Sequence, residues 1–383
     1  KISGMVDESM DKEQLKLPPQ PWEFRSKPAW QRLIIMLGGV TVNILLAFII
    51  YAGILMAWGE DKMPNKSVKN GIWVTDSLMY EIGLRDGDKV IAVNNDTIQY
   101  FEDIPKKILF SGGGQINIVR NAKDTNIEIP RSLIGQLVEK KKSKGRLFLP
   151  RIPAILGDFD KNDTSNAKKA GLQFWDKIVK VDSVNIEYFD EAAAYFGTRK
   201  NGQVMLTVER QGKEILLPVQ LDEDGKMNPT MLSFKHFDSL GVLKIDHKDY
   251  GFFAAFPAGF KLAVTSLKDY IDQFKLILSP STGAYKAVGG FKTMGSIFSG
   301  TEWDWQRFWE ITALFSVILA FMNLLPIPAL DGGHVMFTLG EMITGRKPSE
   351  KFLEYAQIFG FVILMALMLY ANGNDWFGWG KGR

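Results

Sequence analysis

An uncharged run of twenty residues, 311–330, limits the possible folds of this chain more than any other feature. About twenty apolar residues in a helix cross a hydrocarbon core roughly 30 Å thick, so the run predicts a membrane-spanning helix. It closes in the string N-L-L-P-I-P-A-L-D-G-G-H, which brings Asp331 to the end of that helix. An ionisable side chain at membrane depth is costly unless it has a partner, and Asp331 is therefore a candidate functional residue.

Two prolines, Pro326 and Pro328, interrupt the predicted helix just before Asp331. Neither can continue a regular helix, and the carbonyls they leave unpaired are tolerated in a membrane only where protein or water satisfies them. This pattern is typical of a site built inside a bilayer. A helix that stops at the interface, with Asp331, Gly332 and Gly333 in a solvated turn, fits the same residues.

The whole string resembles the second zinc-binding motif of the site-2 proteases, which are M50-type intramembrane zinc metalloproteases. It is most similar to the bacterial regulator-of-sigma-E protease type. In that family the Asp of L-D-G is the third zinc ligand, and the Asn and Pro residues before it line the substrate cleft. The resemblance thus implies Zn²⁺ as cofactor, Asp331 as metal ligand, and Asn323, Pro326 and Pro328 as substrate-binding residues.

Composition restricts the remaining chemistry. The chain has no cysteine, so a metal site must use His, Asp or Glu. Its three histidines are His236, His247 and His334, and none lies in an H-E-x-x-H motif. That motif belongs to the first transmembrane helix of the resembled family, and we expect it upstream of Lys1. His334, three residues past Asp331, is a candidate ligand or a residue with a supporting or solvated role.

The net charge of +3 is too small to indicate a nucleic-acid partner. One dense basic cluster, Lys140 to Arg146, is typical of a solvated loop, and it also fits contact with anionic lipid headgroups.

The first residues, K-I-S-G-M-V, alternate loosely enough to form a short strand. In the resembled family a segment at this place forms a membrane-embedded β-hairpin, whose edge pairs with the unwound substrate by strand addition. The resemblance therefore implies that Gly4 and Met5 bind substrate. A frayed terminus fits the same sequence.

Two further uncharged runs, 33–59 and 355–374, predict two more membrane spans. Basic residues precede both runs, which indicates that these ends are cytoplasmic and that the segment between the first two spans is extracytoplasmic. Within the first run, Gly39 and Asn43 lie one helical turn apart, a pairing typical of a helix-packing face. The pair also resembles the G-x-x-x-N pattern of the family's second helix, so we place this face near the site.

Residues 60–232 have a soluble composition and contain a repeat at a constant offset of 88 residues. The first copy reads I-G-L-R-D-G-D-K-V-I-A-V-N from Ile82, and the second reads A-G-L-Q-F-W-D-K-I-V-K-V-D from Ala170. Both resemble PDZ domains. Trp175 replaces Gly87 in the second copy, which leaves the geometry of that turn open. An extended peptide could add to the groove of either copy, and residues 151–157 are the candidate groove loop of the second; equally, both copies could only block access.

Residues 253–278 have apolar positions at helical spacing with charges off that stripe, which predicts an amphipathic helix on the membrane or under the soluble domains. We expect the Gly-rich stretch that follows it to be a flexible loop at the edge of the cleft.

The predicted fold is a multi-pass α-helical membrane protein with two tandem PDZ-like (α+β) extracytoplasmic domains. The predicted segments are 1–32, β-hairpin remnant and interfacial loop; 33–59, transmembrane helix; 60–150, first PDZ-like domain; 151–232, second PDZ-like domain; 233–305, amphipathic helix and Gly-rich linker; 306–340, transmembrane helix with the motif; 341–354, cytoplasmic loop; 355–375, last transmembrane helix; and 376–383, tail.

The resemblance implies an intramembrane zinc endopeptidase of the bacterial inner membrane. Its expected substrates are single-pass membrane proteins of the anti-sigma factor type, cut after a first extracytoplasmic cleavage, with the PDZ-like domains as a size filter. The expected surroundings are the lipid bilayer. The alternative is a non-catalytic membrane scaffold that binds peptides through its PDZ-like domains.

Overall fold

A computed structural model describes residues 20–139, 146–159, 164–228, 231–298 and 303–379. The chain divides into two compact units. The helical unit contains residues up to 60 together with 249–278 and 286–383, and the soluble unit contains 61–248 and 279–285. Gly4, Met5 and residues 140–145 lie outside the described residues, so their predictions stay predictions.

The helices of the described chain are, in order, α1 (Ala29–Trp58), α2 (Ser77–Glu81), α3 (Asp103–Phe110), α4 (Leu133–Glu139), α5 (Asn166–Lys169), α6 (Phe189–Gly197), α7 (Phe234–Ser239), α8 (Phe252–Leu278), α9 (Phe291–Ile297), α10 (Trp305–Leu324), α11 (Asp331–Thr344) and α12 (Glu350–Phe377). Three of them are long and apolar enough to cross a membrane, within Ala29–Trp58, Trp305–Leu324 and Lys351–Phe377. These helices fit the expected class of a helical membrane protein.

Helix α1 is the centre of the helical unit and packs against α8, α10 and α11. Small residues permit the close crossings: a Cβ added to Gly259 of α8 would lie 2.6 Å from the backbone nitrogen of Ala52 in α1. Farther along, Tyr51 of α1 hydrogen-bonds to Ser266 of α8 at 2.9 Å. The amphipathic helix predicted over 253–278 is thus present as α8, and its buried residues, Ala255, Gly259 and Ala263, pack against α1.

The motif segment differs from the single helix predicted over 306–340. Helix α10 ends at Leu324 and α11 begins at Asp331, with a six-residue linker, 325–330, between them. The linker contains both prolines, and proline can neither donate to the helix ladder nor fit its interior. Asp331 therefore starts a new helix instead of ending a membrane-length one.

Other boundaries also differ from the predicted segments. The predicted 341–354 loop is shorter, because α11 runs to Thr344 and α12 starts at Glu350. The stretch expected to be a flexible Gly-rich loop contains two short 3₁₀ turns and α9. Thr282 and Ala284 of this stretch are buried within the soluble unit, so packing orders the chain here.

The strands of the described chain are β1 (Glu60–Lys62), β2 (Ile72–Val74), β3 (Lys89–Val93), β4 (Asp96–Thr97), β5 (Gly114–Arg120), β6 (Lys123–Ile129), β7 (Phe148–Pro150), β8 (Lys177–Val181), β9 (Val184–Asn185), β10 (Gln203–Arg210), β11 (Lys213–Gln220) and β12 (Asp246–Lys248). The two repeats form sheets of the same order, β4-β3-β5-β6 and β9-β8-β10-β11. One continuous cluster of buried hydrophobic residues, from Met63 to Leu243, runs through both repeats. The repeats therefore share a core within one soluble unit.

The two repeats also share a buried ion pair. Arg120 donates to both carboxylate oxygens of Asp88 at 2.7 Å, and Arg210 donates to both of Asp176 at 2.7 Å. Both carboxylates are fully buried. A fork of two parallel bonds is the strongest geometry available to an Arg–carboxylate pair, so it fixes the same turn in each copy.

The turn at Trp175 has the same backbone geometry as the turn at Gly87 in the first repeat. The φ of Trp175 is 70°, close to the 86° of Gly87. The turn is therefore kept although a side chain replaces the glycine.

Candidate metal centre

The candidate site is built on Asp331, the first residue of α11. Leu330 before it is extended, with φ −111° and ψ 163°, so the chain enters the helix at this point. A carboxylate in the first helical turn is favoured by the helix dipole. The Asp331 side chain is half-buried.

The two glycines after Asp331 bring α11 against the linker that precedes it. A Cβ added to Gly332 would collide with the carbonyl oxygen of Leu325 and lie 2.5 Å from the carbonyl carbon of Leu324. One added to Gly333 would collide with the Cα of Pro328 and lie 2.5 Å from the carbonyl oxygen of Ile327. Real Cβ atoms do not tolerate such contacts, so backbone-to-backbone packing requires glycine at positions 332 and 333.

Helix α11 runs antiparallel to the first third of α1. Thr338 of α11 donates a hydrogen bond to the sulfur of Met36 at 3.7 Å. One turn later in α11, Glu341 pairs with Arg32, one turn earlier in α1, at 2.6 Å. These contacts align the N-terminus of α11 with the middle of α1.

Gly39 of α1 lies beside the candidate ligand. A Cβ built on Gly39 would be 3.9 Å from Oδ2 of Asp331, which is ordinary contact distance. The structure therefore brings together Gly39 and Asp331, 292 positions apart in the sequence. Asn43, one turn farther along α1, is half-buried.

The Asp331 carboxylate fits a metal-binding role. Among the described residues it makes no hydrogen bond and no ion pair, so its oxygens are available to a cation. Carboxylate oxygen is an accepted zinc donor. However, no group of three or more His, Cys, Asp or Glu side chains in the described part of the chain could hold a metal. These residues supply one fitting donor and not a complete set.

The three histidines take different positions. His334 is half-buried on α11, with its ring 6.5 Å from that of Phe337. His236 bonds to Ser233, and His247 bonds to Asp61, both within the soluble unit. The helical unit therefore contains one of the three, His334.

The other predicted site residues precede Asp331. Asn323 lies half-buried in the last turn of α10, Pro326 is exposed, and Pro328 is half-buried. Sequence reasoning missed Gly360 of α12, which contacts the linker at Pro328 and Ala329. A single glycine within an apolar helix carries no signal for such a contact.

The fold and the site together define a helical membrane protein with a half-buried carboxylate at a proline-broken helix. The chain belongs to peptidase family M50, whose model matches residues 2–367. This confirms the family expected from the motif.

Curated relatives support the same class. Proteins of Campylobacter jejuni and Neisseria meningitidis are each named "Putative zinc metalloprotease". The first is 31% identical over 60% of this chain and 62% of its own length, and the second is 23% identical over 93% and 81%. The metalloprotease MmpA of Caulobacter vibrioides is 26% identical over 92% of this chain and 70% of its own length. The enzyme class, zinc metalloprotease, and the cofactor, Zn²⁺, are confirmed at the level of the family.

Proposed function

We propose that this chain is an intramembrane zinc endopeptidase that cuts single-pass membrane proteins after a first extracytoplasmic cleavage. The observation that carries the proposal is the half-buried Asp331 carboxylate, which has no hydrogen bond or ion pair among the described residues and lies beside Gly39 in a bundle that includes membrane-length helices. A carboxylate in such a place is costly without a charge partner, and a zinc ion is the partner that the family supplies.

In this proposal Asp331 is a metal ligand. A zinc ion held there would supply a water molecule polarised for nucleophilic attack near neutral pH. Asn323, Pro326 and Pro328 line the cleft that receives the substrate. The two prolines have no backbone N–H to continue the helix ladder, and the Asn323 amide can donate to and accept from an extended substrate backbone. Gly4 and Met5, outside the described residues, would add a strand edge to the same substrate.

The proposed location is the inner membrane of a bacterium. Arg25, Lys27 and Arg32 flank the start of α1, and Arg346 and Lys347 lie in the loop before α12. By the positive-inside rule both ends face the cytoplasm, which puts the soluble unit outside.

The two repeats of the soluble unit are proposed to be tandem PDZ-like domains acting as a size filter. Their equal strand order and their equal Arg–Asp pairs support the duplication. In the second repeat, the predicted groove loop 151–157 already uses backbone donors that a peptide strand would need. The N–H groups of Ala154, Ile155 and Leu156 donate to carbonyl oxygens within the soluble unit. This favours exclusion of bulky substrates over strand addition at that loop.

The substrate class follows from the resemblance, and an anti-sigma factor with one transmembrane helix is the expected type. The test of the function uses Asp331→Ala in the full-length protein, with Glu354→Ala, an exposed carboxylate on α12, as the matched control. We expect loss of bound zinc and of cleavage of a single-pass model substrate in the first variant, and wild-type behaviour in the second. Full zinc occupancy in folded Asp331→Ala would refute the ligand assignment.

A further inference from the structure

The backbones of two helices pack directly against the linker between α10 and α11, residues 325–330. On one side, Gly332 and Gly333 press against it from α11. Four backbone hydrogen bonds hold the linker and its junctions with α10 and α11, and their donors are the N–H groups of Leu325, Ile327, Leu330 and Gly333. With so few bonds of its own, the linker depends on what packs against it.

On the other side lies Gly360 of α12. A Cβ added there would be 2.7 Å from the backbone nitrogen of Ala329, 3.2 Å from its Cβ and 3.3 Å from the nitrogen of Pro328. The nearest of these atoms belong to backbone and cannot turn aside as the end of a side chain can. Pro328 therefore lies between Gly333 and Gly360, three residues before Asp331.

Helix α12 makes few other close contacts among the described residues. Among the residues of its first two-thirds whose burial the structure describes, Gly360 alone is buried, and Gly373 and Asn374 are the next. Near its end, Asn374 donates to the carbonyls of Lys286 and Val288, and Asp375 accepts from the N–H of Gly290. These two levels are roughly 20 Å apart at 1.5 Å per residue. In its first turn α12 has a further contact, because the ring of Phe352 lies 5.7 Å from that of Phe337 in α11.

We propose that Gly360 is a positioning residue for Asp331. Because it has no side chain, the backbone of α12 rests directly on Pro328 and Ala329 and fixes the linker that leads into the carboxylate. Any side chain at this position must push the linker or α12 away. The inference rests on the proposed function, since it assigns Asp331 as the group being positioned.

The test compares Gly360→Ala and Gly360→Val with Gly340→Ala and Gly53→Ala in the full-length protein. A Cβ at Gly340 or Gly53 would meet nothing within 4 Å. Replacing a helical glycine by alanine normally favours the helix by about 1 kcal/mol, so propensity alone predicts no harm in any of the alanine variants. A loss confined to position 360 must therefore come from the contact.

Two readouts separate positioning from a merely structural role. In metal-free protein, hydrogen exchange of residues 325–333 should be faster in both Gly360 variants than in wild type. In protein of unchanged melting temperature, zinc affinity should fall by about tenfold or more, as is usual when a group that orients a metal ligand is lost, and it should fall further for Val than for Ala. The cobalt-substituted spectrum should shift in parallel.

Wild-type exchange over 325–333 together with wild-type zinc affinity in folded Gly360→Val would overturn the proposal. Asp331→Ala, measured alongside, keeps this outcome distinct from failure of the proposed function. If Asp331→Ala loses zinc while the Gly360 variants behave as wild type, the ligand assignment stands and the positioning role is wrong. If Asp331→Ala keeps its zinc, the proposed function itself is wrong.

Discussion

Arg32 and Glu341 form an ion pair of 2.6 Å between the first turns of α1 and the last turns of α11, with side chains only 12% and 13% exposed. The pair lies at the end of the α1–α11 contact that brings Gly39 to Asp331. It therefore sets the register between the helix that carries the candidate ligand and its main neighbour.

The first prediction concerns this pair. Removing one partner leaves a nearly buried charge uncompensated, which costs on the order of 3 kcal/mol or more. We expect Arg32→Ala and Glu341→Ala each to lower the melting temperature of the detergent-solubilised protein, and the charge-exchanged double variant Arg32→Glu with Glu341→Arg to regain most of the loss. Additive losses in the double variant would count against the pair as a register contact.

The second prediction concerns Asn323. If its amide contacts the substrate backbone, Asn323→Ala should keep zinc at wild-type occupancy and slow cleavage, because a hydrogen bond to substrate is lost while the metal is untouched. An alternative is that Asn323 only stabilises the end of α10. Metal analysis, melting temperature and turnover of a single-pass model substrate distinguish the two: slower turnover at unchanged stability supports contact, and unchanged turnover refutes it.

The third prediction concerns topology and uses the absence of native cysteine. Single cysteines are placed at Asp224, in an exposed turn of the soluble unit, and at Lys347, in the exposed loop before α12. A membrane-impermeant maleimide should label Asp224→Cys in intact cells and label Lys347→Cys only after permeabilisation. Labelling of Lys347→Cys in intact cells would reverse the proposed orientation.

The fourth prediction tests the size filter. Strands β1 and β12 form a two-stranded sheet, so residues 63–245 can be replaced by a short Gly/Ser linker between neighbouring strands. We expect this deletion to permit cleavage of a substrate that keeps its large outer domain, while a pre-trimmed substrate is cut by both proteins. Continued refusal of the large substrate, with the trimmed one still cut, would remove the filter from the proposed function.

The fifth prediction concerns Asp190 in the soluble unit. Burial raises the pKa of this carboxyl, and the nearby Arg151, which donates to its Oδ2 at 2.8 Å, opposes the rise. Its Oδ1 is buried and has no hydrogen-bond partner among the described residues. A pKa higher in the folded than in the unfolded chain means that folding takes up a proton, so the contribution of Asp190 to stability falls as pH rises through the folded pKa.

Melting curves between pH 4 and pH 7 test whether the contribution of Asp190 to stability falls as the pH rises. Relative to Asp190→Asn, which cannot titrate, the wild-type protein should gain stability as the pH is lowered. Asp224→Asn, at an exposed carboxylate, serves as the control. A wild-type advantage that grows with rising pH would show that the Arg151 pair outweighs burial.

The sequence predicted best those features that depend on local pattern. Apolar runs identified three membrane-length helices, and the spacing of apolar residues identified α8. The 88-residue offset predicted two similar repeats within the soluble unit, and the motif around Asp331 predicted the family. In each case a few neighbouring residues contain the physical cause, either hydrophobic length or helical period.

Contacts between residues far apart in the sequence were harder to predict from the sequence. The proximity of Gly39 to Asp331 was anticipated only through resemblance, and the contact of Gly360 with the linker was not anticipated at all. Such contacts depend on how helices pack, and a glycine looks the same in a sequence whether or not a backbone lies against it. The interruption of the helix at Pro326 and Pro328 was predicted, but the start of a new helix at Asp331 was not, since it accompanies the backbone packing of Gly332 and Gly333.

The repeated Arg–Asp fork of the soluble unit also bears on how this chain tolerates change. Arg120 pairs with Asp88 in the first repeat, and Arg210 pairs with Asp176 at the equivalent positions of the second. Both repeats have therefore kept the same ion pair. At Gly87 and Trp175 the two repeats differ in residue type, but both residues have a positive φ, so the backbone turn is the same. The two repeats can therefore be compared with each other: the same Arg–Asp pair holds the turn in both, and that turn accepts either a glycine or a tryptophan.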